Sequence, residues 1–409
     1  MKRRRWVFPS ILSALAALLW LAAHGHHASV LAATDNEAAA TADMRPGLDF
    51  AAVFAAAGGG PISPCRSIVD PYPAFNSVAV DPQNHIAVIS DNALKSALVY
   101  DINAGESPNK TAITPYLYQV RGYATHIASP AGVTVDPVAK RFYVADNDIG
   151  ESIGTFPYGA RGNYPAQSVA VPVGAYGIGI SQTYHQFAVS EEDQPLIMFF
   201  RIGANGADHP LREIRGPHTQ MADPRGLVWD DGNHEILIAN QGAWNRGYWD
   251  RDWNGGGHYQ PPSLEAFSDV GKGDVKPLRV IQGSRTQLNW PFQIALDPVH
   301  NEIAVANLGG NSVLVFKRTA QGNVAPVRVI KGPHTGLMYP IGVAYDTVHN
   351  QLWVVNYGHE ALIYDRSASG DATPVRVIRS APAGTATVGI SNPFTMAYDS
   401  RRDELLVRN

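Results

Sequence analysis

Three groups of residues in this chain have the types and spacing that chemistry requires. Asp250-x-Asp252-x-Asn254-Gly255 reads as the opening of a calcium loop, in which alternate oxygen side chains share a turn and glycine permits the bend. The bidentate acid of an EF-hand is due eleven residues after Asp250, where Pro261 stands, so Glu265 would have to complete the shell. A weak calcium site on Asp250, Asp252 and Asn254 is the expectation. Around it, residues 241–262 concentrate Trp244, Tyr248, Trp249, Trp253 and Tyr259, more aromatics than a solvated loop needs. They read either as a plug on the fold or as a contact for a sugar-like ligand or a partner. The second group is His218, Arg285 and His334, which hold equivalent places in Gly216-Pro217-His218-Thr219, Gly283-Ser284-Arg285-Thr286 and Gly332-Pro333-His334-Thr335. Arginine as a fork donor and histidine as a general base would suit an anionic ligand.

The third group is Asp91, Asp146, Glu191, Asn240, Asn307, Asn356 and Asn409, each of which closes a short apolar run. Such residues satisfy turn backbone, and on a common ring they would also form an oxygen-lined funnel for a hard cation. That cation could polarise a substrate carbonyl. His185, His234, His300 and His349 lie in other turns, one per repeat, and read as turn residues. No HExxH, phosphate-loop or haem motif occurs.

The elements that position these groups are repeats. Residues 291–335 read as four short strands: 293–296, 303–306, 312–316 and 327–330, each rich in β-branched residues and bounded by Gly, Pro, Asn or Asp. The pattern recurs at 340–379. Asp81, Asp136, Asp230, Asp297, Asp346 and Asp399 open the first hairpin turn of successive copies, with Ser181 in the remaining one. That makes seven first hairpins. A fourth-strand signature, Pro-x-Arg-x-Ile, recurs at 210–214, 277–281, 326–330 and 374–378, with Glu213 filling one variable place.

The last copy ends after two strands at Asn409, and 50–69 aligns without a gap on 312–331. Phe54 falls on Phe316, Pro64 on Pro326 and Arg66 on Arg328. The N-terminal strands are therefore expected to pair with the C-terminal hairpin, closing a ring without free edges. The fold class is an all-β, seven-bladed β-propeller, with a six-bladed ring as the alternative if one copy falls outside. Tyr143-Val144-Ala145-Asp146-Asn147, Val305-Ala306-Asn307 and Ser312-Val313-Leu314-Val315-Phe316 resemble the NHL and YVTN-type repeats of exported bacterial propeller proteins, over essentially all of 50–409. That resemblance implies the scaffold and leaves function open, since such propellers include binding modules, lactonases and lyases.

The N-terminus resembles an export signal. Lys2 to Arg5 precede the apolar run 11–23, and small residues near Ala33 offer a cleavage site. The domain reading is a signal peptide at 1–33, a linker at 34–49 and one propeller domain at 50–409 carrying the insertion 241–262. The apolar run is short for a stable membrane span. Without the leader, 28 basic residues face 36 acidic ones, a net charge of −8, which argues against nucleic acid as a partner. Cys65 is the sole cysteine, so no internal disulfide is possible. The function expected is an exported, periplasmic or extracellular, monomeric binding or scaffold protein. Its ligand or partner would meet the face bearing the loops between strands two and three and between strand four and the next copy. The alternative is a metal-assisted lactone hydrolase or lyase on the same face.

Overall fold

The computed structural model describes residues 75–105, 113–147, 149–192, 194–245, 258–356 and 360–379, and the backbone strands 51–55, 66–67, 395–399 and 404–408. Residues 75–379 form six four-stranded antiparallel sheets, the blades, spanning 75–121, 130–170, 175–215, 224–282, 291–330 and 340–379. In blade 5 the strands are Pro291–Asp297, Glu302–Asn307, Ser312–Lys317 and Arg328–Ile330, innermost to outermost. Each inner strand packs beside the next, and Pro340–Asp346 of blade 6 packs beside Phe75–Asp81 of blade 1. The ring is thus closed by six blades. One apolar cluster contains Val78, Leu98 and Tyr100 of blade 1 together with Ile341, Trp353 and Ile363 of blade 6.

The seven-bladed ring expected from the repeats is therefore corrected to six. The seventh set of strands does form a sheet, in the order expected. Ala51–Ala55 pairs with Glu404–Arg408, flanked by Arg66–Ser67 and Thr395–Asp399, with Phe54 opposite Leu405. This sheet belongs to a separate compact unit of the two chain ends.

The inner strands explain the closure. Every one shifts register just after its first residue, at Asn76, Ala131, Tyr176, Arg225, Phe292 and Ile341, and in blades 3, 4 and 5 the irregularity takes in the third residue as well. The third residue is glycine in four blades. A Cβ on Gly177 would stand 2.5 Å from the Arg225 carbonyl oxygen and the Leu227 nitrogen, and one on Gly226 would stand 2.6 Å from the Phe292 carbonyl oxygen. One on Gly132 would overlap the Tyr176 carbonyl oxygen, and one on Gly342 would stand 2.6 Å from the Val355 side chain and 3.1 Å from the Ser77 Cα. Missing side chains let neighbouring backbones converge around the axis. The corresponding residue in the terminal copy is Thr395.

The Pro-x-Arg-x-Ile signature clamps the seams that follow blades 3, 4, 5 and 6. Arg279 binds Glu235 of its own blade and, at 3.4 Å, the Arg318 carbonyl of the next. Arg328 does the same with Glu302 and the Arg366 carbonyl. Its guanidinium, with partial burial opposing it, holds the Glu302 carboxyl down at about 2. Arg376 of blade 6 donates to the Ile102 and Ala104 carbonyls of blade 1 at 3.0 and 2.7 Å, so the ring-closing seam uses the same device.

First-hairpin turns behave as their residues predict. Asp297 and Asp346 accept turn amides and hold His300 and His349 through Nδ1 at 2.7 and 2.6 Å. Where Ser181 replaces the aspartate, Asp231 of the next blade supplies the carboxylate and accepts from Ser181 and from the Gln182 amide. The insertion begins and ends as a two-stranded hairpin, Ala243–Asn245 with His258–Gln260. Glycine confinement gives a direct test. Gly177→Ala should lower stability by about 1–3 kcal/mol, the usual cost of overpacking, measured by denaturant unfolding. An unchanged midpoint would contradict the close approach.

Candidate functional site

The bulged residues meet at the ring axis. Ala131, Tyr176, Phe292 and Ile341 come from blades 2, 3, 5 and 6 yet share one apolar cluster, with Leu308 packed against it. A bulge re-aims the side chain at its own position. Here the four apolar side chains, from four blades, belong to one packed cluster.

Arg225, the bulged residue of blade 4, lies across this plug. It is buried, and its guanidinium carbon sits 4.9 Å from the Tyr176 ring centre and 5.1 Å from that of Phe292. The two rings are themselves 5.5 Å apart and steeply tilted. Arg225 pairs with Glu192 of blade 3, lies 2.9 Å from Asp223 through Nε, and donates to Gln241 at 3.2 Å. Glu192 in turn accepts from Asn147 of blade 2 at 3.3 Å. Charged, amide and aromatic groups from blades 3, 4 and 5 therefore converge on one guanidinium, and Asn147 of blade 2 joins them through Glu192. Two carboxylates oppose a single cation, leaving the cluster negative. Nearby, Asn76 donates to the Pro130 carbonyl at 3.0 Å, and Gln293 reaches Ser77 beside Gly342.

The ring Asp91, Asp146, Glu191, Asn240, Asn307 and Asn356 lies one residue before this level, and all six are buried. Their oxygens serve the backbone. Asp146 accepts from the amides of Ala128, Ser129 and Gly150, Asn307 from Asn289 at 2.7 Å, and Asn356 from Met338 at 3.2 Å. Asp91 and Glu191 accept from Leu94 and Gln194 within their own turns. Burial pushes the Asp91 carboxyl up to about 7. Asn409 lies outside the described residues. Among the described residues, no three His, Cys, Asp or Glu side chains gather as a metal site.

His218, Arg285 and His334 occupy equivalent places on three different seams. His218 reaches Asp274 of the following blade at 2.6 Å and His334 reaches Asp371 at 2.6 Å, each through Nδ1, while the Arg285 amide donates to Asn323 at 2.7 Å. Each is exposed, and no hydrogen bond or ion pair joins the three. In the insertion, Trp244 stands opposite Tyr259 in the hairpin register. Tyr248, Trp249, Trp253, Asp250, Asp252 and Asn254 lie outside the described residues. Glu265, which the calcium reading enlists, is instead a core residue of the strand Ser263–Ser268.

The sequence reading missed Arg225, Glu192, Asp223 and Gln241. Two signals were available: Arg225 is the only charge at the second inner-strand place, and Glu192 and Gln241 directly follow ring residues.

No family model matches the chain, and no curated protein matches it. Among solved structures, the Kuenenia stuttgartiensis hydrazine synthase is similar over 72% of this chain and 84% of that one, with 15% identity and a TM-score of 0.49. Among the described residues, no helix is long and apolar enough to cross a membrane.

The cluster and the rim should respond differently to truncation. Arg225→Ala leaves the half-buried carboxylates of Glu192 and Asp223 without this cation and should cost about 3–5 kcal/mol in denaturant unfolding. Arg285→Ala, on the exposed rim, should change stability by less than about 0.5 kcal/mol. Equal effects would contradict the assignment.

Proposed function

We propose that this is an exported β-propeller binding protein of the NHL or YVTN-repeat kind. Its ligand or partner is recognised on the face where the Arg225 cluster lies. The observation that carries this reading is the convergence of Glu192, Asp223, Arg225, Gln241 and Asn147 at the ring axis, over Tyr176 and Phe292. An arginine already matched by two carboxylates is a poor receptor for another anion. The negative cluster favours a ligand that brings donors, such as an amine, a guanidinium or the hydroxyls of a sugar.

The insertion starts at Gln241, a member of the cluster, so its aromatics spring from the recognition centre. Trp244, Tyr248, Trp249, Trp253 and Tyr259 suit stacking on sugar rings or on cationic groups. Calcium on Asp250, Asp252 and Asn254 would order that segment at the roughly millimolar concentrations typical of extracellular modules. His218, Arg285 and His334, one to a seam, suit a partner broad enough to span three blades better than a small anion. The leader 1–33 would deliver the protein to the periplasm or beyond, where it acts as a monomer.

Thermal-shift measurements with spermidine, a neutral oligosaccharide and citrate test the reading. Spermidine or the oligosaccharide should raise the melting temperature. Trp244→Ala combined with Tyr259→Ala should remove that rise and leave the ligand-free transition in place. Stabilisation by citrate alone would contradict a donor-bearing ligand.

A further inference from the structure

Two places in each blade surround the Arg225 cluster at the mouth of the axis. One is the residue just before the inner strand: Ser129, Gly174, Asp223, Trp290 and Tyr339 in blades 2 to 6. The other is the residue just after the second strand: Asn147, Glu192, Gln241 and Leu308 in blades 2 to 5. The backbone ties the two places together. The amides of Asn147, Glu192, Gln241 and Leu308 donate to the carbonyls of Ser129, Gly174, Asp223 and Trp290 at 2.8, 2.9, 3.0 and 3.1 Å. Blades 2 to 4 thus bring amides and carboxylates to the mouth, and blades 5 and 6 bring Trp290, Leu308 and Tyr339.

Trp290 and Tyr339 hold their place under backbone strain. Each has a φ of +50°, beside +56° for Asp223 and +102° for Gly174. Among the described non-glycine residues with positive φ they are the only bulky aromatics; the others are His, Lys, Glu, Gln, Asp or Asn. Aspartate and asparagine tolerate that region, whereas a large side chain is strained in it and is found there chiefly at functional sites. The scaffold does not require a ring at this place, because glycine serves in blade 3. Trp290 is half-buried and Tyr339 is 41% exposed, so neither is a core side chain. The shared φ and the shared step into the inner strand send the three Cα–Cβ bonds in one direction. Asp223 marks that direction, since its carboxylate lies 2.9 Å from Arg225 Nε.

We propose that this mouth binds a primary ammonium ion carried on a flat apolar body, with Trp290 and Tyr339 as the platform for the body. The inference rests on the Arg225 face being the recognition face, and it narrows the ligand. Glu192 and Asp223 together outweigh the single charge of Arg225. An ionised carboxylate oxygen accepts more than one hydrogen bond, so an ammonium finds both charge and acceptors on the side of blades 3 and 4. Its body then lies toward blades 5 and 6, where the faces of an indole and a phenol attract apolar surface and positive charge alike. A sugar would use the rings and leave the negative charge unmatched. An inorganic cation would use the charge and leave the rings without a partner.

Isothermal titration calorimetry of the full chain with phenethylamine at neutral pH tests this against two controls. Phenethyl alcohol keeps the body without the charge, and methylamine keeps the charge without the body. Each control should bind at least about tenfold more weakly than phenethylamine. Trp290→Gly and Tyr339→Gly give blades 5 and 6 the residue of blade 3. Each should weaken phenethylamine by about tenfold. Each should also leave the denaturant midpoint unchanged or raised, because glycine relieves the positive φ. Equal binding of the amine and the alcohol, or no binding of the amine by the folded protein, would overturn the proposal. Recognition on this face would survive that result if a neutral oligosaccharide still raised the melting temperature. A midpoint lowered in either glycine variant would make that ring structural and would overturn the proposal as well.

Discussion

The close approach of the six inner strands is the constraint from which the rest follows. At four of the six the third residue is glycine, and a Cβ on Gly132, Gly177 or Gly226 would strike the neighbouring backbone, while Ser77 and Gln293 hold the place in blades 1 and 5. The same strands bulge one residue earlier, which swings Ala131, Tyr176, Phe292 and Ile341 onto the axis. These residues then share one packed apolar cluster. An arginine at one of these places must find its partners there, and Arg225 draws Glu192, Asp223 and Gln241 around it.

The periphery is fixed by a different device with the same periodicity. Arginines of the outer strands reach carbonyls of the following blade, and seam bridges such as Val120 with Gly162 and Ile281 with Gly322 cover part of each outer edge. Unpaired edges invite association, so a blade edge met by its neighbour is protected. The rim tetrapeptides belong to this system: the amides of His218, Arg285 and His334 bind Asp274, Asn323 and Asp371 of the next blade. The ring of Asp and Asn residues after the second strands likewise fastens loops to strands. These residues repeat because every blade requires the same fastening, which is why repetition by itself did not mark function.

Most of the scaffold was legible in the sequence, because its signals are local. Runs of β-branched residues, the turn aspartates and the Pro-x-Arg-x-Ile strands identify the blades one by one, and the gapless match of 50–69 to 312–331 correctly pairs the chain ends in one sheet. The number of blades in the ring was not legible from counting, since closure depends on how inner strands approach one another. The glycines at 132, 177, 226 and 342, against Thr395 in the terminal copy, are the trace of it in the sequence. The site was less legible. Its members are exceptions to the repeat, and Arg225 stands out only when the same place in the blade is compared across all six copies.

The central claim is that blade 6 meets blade 1 directly. At that seam the Thr114 amide donates to the Arg379 carbonyl at 2.6 Å, and the Arg379 amide donates to the Thr114 hydroxyl at 3.2 Å. Residues bonded in this way are within the reach of a disulfide, which requires Cα atoms about 4.4–6.8 Å apart. In a chain carrying Cys65→Ser, the pair Thr114→Cys and Arg379→Cys should oxidise to an intramolecular disulfide, seen as a faster-migrating band on non-reducing electrophoresis and as a mass loss of about two hydrogens. A folded protein whose two thiols both stay free under oxidation, as a further blade between 6 and 1 would dictate, would contradict the six-bladed ring.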